Sequence, residues 1–153
     1  MKSLSLLLIL LLPFASVNAS QLTIFDQLGK KHSLSREQLL SLPQHEISTE
    51  LPWIEGQSSY SGVDLNEVLK SIDLSMSKHV TLVALNDYKI SVPNEDFKKY
   101  KPIIAIKQDG EFMSVRDKGP FWLIYPLSSK PDINNTDFHA KMIWQIRDIH
   151  LSR

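Results

Sequence analysis

The 153-residue chain contains no cysteine, and that absence removes several chemistries at once. A thiol nucleophile, a structural zinc site of the cysteine type, a thiolate-ligated cofactor and a cysteine-linked lipid anchor are all impossible. Disulfides are excluded as well, although export would permit them, so a hydrophobic core must hold the fold together. A chain of this length can build one such core. Charge of one sign is equally scarce: 17 basic residues stand against 17 acidic ones, with no basic block. Nucleic-acid binding, which rests on phosphate neutralisation, therefore has no electrostatic footprint here. Only five glycines are present, and neither glycine-rich phosphate motif can be assembled from them.

Long hydrophobic runs are also missing beyond the first dozen residues. Lys2, the apolar run from Leu4 to Leu12 and the small residues ending Val17-Asn18-Ala19 have the layout of a cleaved secretory leader. A membrane span needs about 20 apolar residues, and Pro13 closes this run too soon. The expected organisation is a leader over residues 1–19 and a single soluble domain over residues 20–153, delivered to the periplasm without a direct membrane anchor.

Within that domain the patterning is that of an α+β fold, a mixed β-sheet with two or three short helices. Two strands are predicted around Gly29. A helix follows, with Ser35 and Gln38 forming a capping box and Leu34 packing on Leu39. Residues 45–51 alternate as a strand, and residues 54–62 read as a loop. Asp64, with Glu67 as return partner, caps a second helix striped by Leu65, Val68, Leu69 and Ile72. Strands are expected at 79–84 and 89–92, with Asn94 capping a short helical turn. Residues 103–106 and 112–113 should pair across Asp109-Gly110, a strong hairpin signal. Residues 121–125 form a strand buried on both faces, and residues 143–149 close the sheet. Residues 128–141 show no period and are predicted to be a long functional loop.

Catalytic signatures are not found. The five histidines, His32, His45, His79, His139 and His150, lack ligand spacing, so no metal site is expected. No G-x-S-x-G nucleophile elbow occurs. Asn86, Asp87 and Tyr88 form a polar triplet at a strand corner, which on periodicity alone reads as an ordinary turn. Arg116, Asp117, Lys118 and Gly119 read equally well as a solvated hairpin tip. Trp53, outside any periodic strand, must either plug the core or present its face, and Trp144 is open to both roles. Yet residues 116–126, R-D-K-G-P-F-W-L-I-Y-P, set charged groups directly beside an apolar aromatic strand. That suits a flat, heteroatom-rich ligand oriented by a few polar groups.

Taken in order, P-W-I-E-G (52–56), Y-S-G-V-D-L-N-E-V-L (60–69), A-L-N-D-Y (84–88), R-D-K-G-P-F-W-L-I-Y-P (116–126) and W-x-I (144–146) resemble the oxidoreductase molybdopterin-binding domain of the sulfite-oxidase-type fold. The resemblance is to its small, stand-alone exported form. It implies a pterin pocket in an α+β domain. Enzymes of that family ligate molybdenum through a cysteine, and here the corresponding stretch offers only Ser48, Thr49 and Glu50. The resemblance further implies a reduced, tetrahydropterin-type ligand held without metal by a non-catalytic protein. It also implies a signalling partner, the periplasmic domain of an inner-membrane cyclic-di-GMP enzyme or kinase. Carried onto this sequence, Glu55, Asp87 or Asp117 would pair with the guanidine-like pterin edge. Arg116 or Lys118 would meet its carbonyl or side chain, and Trp53 or Tyr88 would stack on its plane, beside Asn86. The alternative is a molybdopterin-dependent oxidoreductase, or a subunit of one, whose metal is held by pterin sulfurs alone.

Overall fold

The computed structural model describes residues 20–152. The expected leader lies outside the described residues. Ten strands and four short α-helices build two five-stranded sheets around one continuous core. No helix among the described residues is long and apolar enough to cross a membrane.

The first sheet begins with β1 (Gln21–Phe25) and β2 (Lys31–Ser35), paired antiparallel from Gln21–Ser35 to Phe25–Lys31. Their turn is held by Asp26, whose Oδ1 accepts the Leu28 and Lys30 N–H groups at 2.9 Å each. Ser35 then caps α1 (Arg36–Leu40): its hydroxyl accepts the Gln38 N–H at 3.2 Å, and Gln38 Oε1 accepts the Ser35 N–H at 2.8 Å. The capping box predicted from sequence is therefore formed, satisfying two donors that the helix itself cannot.

β5 (His79–Ala84) and β6 (Lys89–Pro93) add a second antiparallel hairpin. Between the two hairpins lies β10 (Ile146–Leu151), parallel to β1 and antiparallel to β5. The order is β2-β1-β10-β5-β6. The closing strand starts later than the alternation suggested, because residues 142–145 run outside the sheet and a bulge falls between Ile146 and Asp148.

The second sheet corrects one expectation outright. Residues 54–62 are not a loop: Ile54–Val63 is a ten-residue strand, β4, paired with β3 (His45–Leu51) on one side and β7 (Ile103–Gln108) on the other. Its glycines and serines have little strand propensity, so tertiary pairing decides the outcome. Gly62 shows why a small residue is needed: a Cβ there would collide with the Ile104 carbonyl oxygen and approach Ala105 Cα to 2.7 Å. β8 (Glu111–Phe112) pairs with β7 across Asp109-Gly110, both at positive φ (49° and 83°), as the hairpin signal requires. β9 (Trp122–Ile124) pairs with the other end of β7, and all residues from 121 to 125 are buried.

Two helices also differ from expectation. In α2 (Leu65–Lys70) the Asp64 carboxylate accepts the Asn66 N–H at 2.6 Å, but Glu67 does not reach back. Its carboxylate lies 2.9 Å from His45 Nε2 on β3 instead. In α3 (Asn94–Tyr100) the cap position is Pro93, and Asn94 is the first helical residue. The segment 128–141 is structured rather than looped: a 3-10 turn (Pro131–Ile133) leads to α4 (Thr136–Lys141), capped by Asn135 Oδ1 accepting from Asp137 and Phe138.

Tyr60, on β4, is wholly buried, and its hydroxyl has no partner among the described residues. Burial pushes its pKa up. Its ring stands edge-on to Trp122, with centroids 5.6 Å apart. Because the ring packs well and the hydroxyl does not, Tyr60→Phe is expected to leave stability unchanged or raise it by about 1 kcal/mol. Urea denaturation checks this, and a clear loss of stability would show that the hydroxyl is bonded after all.

Candidate functional site

Three pieces of the fold converge on a cavity of about 350 Å³. The tip of the β3–β4 hairpin supplies Trp53. The β5–β6 corner supplies Ala84, Asn86 and Tyr88. α4 and the segment after it supply His139, Ala140, Met142, Ile143 and Trp144. The cavity thus spans the ends of both sheets, with α4 as a separate wall.

Local sequence explains the first two pieces. Leu51 pairs with Ile54, leaving only Pro52 and Trp53 in the turn, so the indole projects from the hairpin tip and is 38% exposed. Of its two sequence readings, presentation is the one realised. At the β5–β6 corner the Asn86 side chain accepts the Tyr88 N–H at 3.1 Å, and Asp87 takes a positive φ of 66°. This Asx-type turn sends successive side chains in different directions. Tyr88 reaches the cavity and donates its hydroxyl to the Ala140 carbonyl at 3.3 Å, whereas Asp87 turns out to Arg147, 3.1 Å away.

The aromatic walls are mutually braced. Trp53 stands edge-on to Trp144 and His139, with centroids at 5.4 and 5.8 Å. Trp122, fully buried behind them, lies 6.2 Å from Trp53 and 6.1 Å from Trp144. Its indole N–H donates to the Met142 carbonyl at 2.9 Å, which ties β9 to the segment lining the cavity. Lys118, at φ 67°, holds its ammonium 5.0 Å from the Trp144 ring centre and 5.9 Å from that of Trp122. Such a contact stabilises both the cation and the ring plane.

The remaining sequence candidates sit apart from the lining. Arg116 is exposed in a 3-10 turn (Val115–Asp117), and Asp117 accepts the Ser114 hydroxyl at 2.7 Å in the same turn. Glu55 is exposed one residue beyond the start of β4. The structure therefore brings Trp53, Asn86 and Tyr88 to the cavity, with the Lys118 ammonium over the Trp144 ring. Glu55, Asp87, Arg116 and Asp117 do not line it. Sequence reasoning assigned no ligand role to His139, Ala140, Met142, Ile143 or Trp144. The usable signal was Asn135 before Thr136-Asp137, a helix start that would have turned the loop into a wall.

The stretch expected to face a cofactor metal holds its one buried side chain, Thr49, in hydrogen bonds. Ser48 is exposed, while Thr49 is wholly buried and its hydroxyl lies 3.2 Å from that of Ser128. Ser128 is engaged twice more, donating its N–H to Thr49 Oγ1 at 3.1 Å and accepting the Glu50 N–H at 2.9 Å. Among the described residues no group of three or more histidine, aspartate or glutamate side chains is placed to hold a metal ion. The residues present do not fit a molybdenum ligated by a protein thiolate. They do fit a flat ring, for which the walls offer indole, phenol and imidazole, with the Asn86 side chain among the lining polar groups.

The model of the oxidoreductase molybdopterin binding domain family matches residues 11–129, and the mixed sheets with few short helices are consistent with its fold. The chain belongs to that family. Among solved structures it is similar to the sulfane dehydrogenase SoxCD from Paracoccus pantotrophus, at 18% identity and a TM-score of 0.64, over 87% of this chain and 38% of that one. The likeness is one of fold. No curated protein matches the sequence. α4 and Trp144 lie beyond the residues that the family model covers.

Proposed function

We propose that this protein binds a reduced pterin in the cavity walled by Trp53, Tyr88, His139 and Trp144, and that it does so without metal redox chemistry. One observation carries the reading: an aromatic-walled cavity of about 350 Å³ occurs in a molybdopterin-binding domain that contains no thiol. The volume suits a small heterocycle. The rings supply stacking or edge contacts to its plane, and the Asn86 amide is a polar side chain of the lining that can meet its heteroatoms. Asp87 is turned to Arg147 and is not among the residues lining the cavity.

The biological role that follows is sensing. In this reading the protein is exported, and the bound pterin favours one state of a surface that the periplasmic domain of an inner-membrane cyclic-di-GMP enzyme or kinase recognises. Support for that role comes from the sequence resemblance to short pterin-binding signalling proteins. A second reading, a molybdopterin-dependent oxidoreductase or a subunit of one, draws support from the family membership and from the fold shared with a sulfane dehydrogenase.

Anaerobic calorimetric titration of a tetrahydropterin into the purified protein separates the two when combined with metal analysis of protein isolated from its native host. Saturable one-to-one binding in metal-free protein is expected. Stoichiometric molybdenum in the isolated protein would establish the second reading, and the absence of any pterin binding would remove the first.

A further inference from the structure

Asp96, on α3, is the one charged residue among the buried described residues, at 7% exposure. Its Oδ2 accepts two hydrogen bonds at 2.8 Å, one from the wholly buried Tyr125 hydroxyl and one from the Lys141 ammonium. Burial, reinforced by the Asp96 charge, holds the Tyr125 phenol far above its usual pKa, so it remains a donor. Around this point lies an aromatic cluster. Phe138 stands edge-on to Tyr100 and Tyr125 at 5.2 and 5.3 Å, and the Lys141 ammonium sits 4.3 Å from the Phe138 ring centre.

Phe138 and Lys141 belong to α4, and so do His139 and Ala140, which line the cavity. Six residues are too few to hold a helix in place by propensity. α4 therefore depends on what it touches. Inward, it meets one carboxylate oxygen and two tyrosine rings. Toward the cavity, His139 meets Trp53 and the Ala140 carbonyl receives the Tyr88 hydroxyl.

A buried ion pair recovers little more than the cost of desolvating its charges, and well-packed apolar residues usually stabilise as much. What the pair supplies is position, because the ammonium has one carboxylate oxygen to find and the helix follows it. We propose that the Asp96–Lys141 pair is a latch that fixes α4 as the wall of the cavity, making both residues positioning residues for a ligand that neither touches. The link to a ligand rests on the pterin-binding reading. The latch itself does not.

Native-state hydrogen exchange tests it on the whole protein. Lys141→Met removes the ammonium but keeps much of the stem, and it leaves Asp96 bonded to Tyr125. Exchange of amides in residues 136–142 is expected to accelerate about tenfold more than exchange in β5, which reports global opening. Lys141→Arg is expected to keep wild-type protection. The double variant Asp96→Asn/Lys141→Met no longer strands a buried charge, so its urea midpoint should return close to wild type. Its α4 amides should nevertheless stay fast, and its tetrahydropterin affinity should stay down by about tenfold. Equal acceleration of α4 and β5 in Lys141→Met, or recovery of both midpoint and α4 protection in the double variant, would overturn the latch. Failure of wild type to bind any pterin removes the ligand reading alone, and the exchange comparison then decides the latch by itself.

Discussion

Gly62→Ala is expected to cost more than about 4 kcal/mol, enough to leave most of a marginally stable domain unfolded. The added methyl would occupy the space of the Ile104 carbonyl oxygen. Relief requires β4 and β7 to separate where Gly62 pairs with Ala105 in the second sheet. Backbone cannot yield as a flexible side chain can, and overpacking at a strand pair propagates along the ladder. Gly56 is the matched control. It lies on the same strand, and a methyl added there would have nothing within 4 Å, but its φ is 77°. Gly56→Ala should therefore cost only about 1–2 kcal/mol, from backbone strain alone. Urea midpoints for both variants check the contrast, with soluble yield as the readout if Gly62→Ala does not fold. Equal costs would mean that the β4–β7 approach is loose enough to admit a methyl.

Trp53→Ala is expected to weaken tetrahydropterin binding by at least about tenfold while changing stability by only about 1 kcal/mol. The indole lies at a hairpin tip and is more than a third exposed, so little core is lost with it. What is lost is the cavity wall that faces Trp144 and His139. Calorimetry paired with urea denaturation separates the two effects. Unchanged affinity in a folded variant would place the ligand elsewhere. Trp122→Ala would not make the same test: Trp122 is wholly buried, and its N–H holds the Met142 carbonyl. Binding and folding would fail together.

Much of the scaffold was legible because its signals are local. Ser35 and Gln38 announce a capping box within four residues, and it forms as expected; Asp109-Gly110 announces a hairpin within two, and it forms with Lys107–Phe112 and Gln108–Glu111 as its pairs, while residues 103–105 pair with β9 instead. β4 was not legible, since Gln57, Ser58, Ser59, Ser61 and Gly62 carry no strand preference and become strand only by pairing, the first three with β3 and the last two with β3 and β7. Glu67 stands at the right spacing for a return cap, yet the His45 imidazole is a nearer partner across the tertiary fold. At the cavity, Trp53 and Tyr88 could be suspected as aromatics at turns. Asp87 could not be separated from Asn86 by spacing, because a positive φ at one residue decides which side chain faces in and which faces Arg147. His139 and Trp144 reach the site only once α4 folds against α3.

The position of β10 has a consequence for biosynthesis. The central strand of the first sheet is made after every other strand of the two sheets, and β1 can pair with it only once the chain has passed through both. Until Ile146–Leu151 arrives, the β1–β2 and β5–β6 hairpins have no strand between them, each with an open edge toward the other. Open strand edges invite pairing with other chains. A polypeptide that lacks Ile146–Leu151 therefore leaves that sheet unassembled, with the two hairpins unjoined.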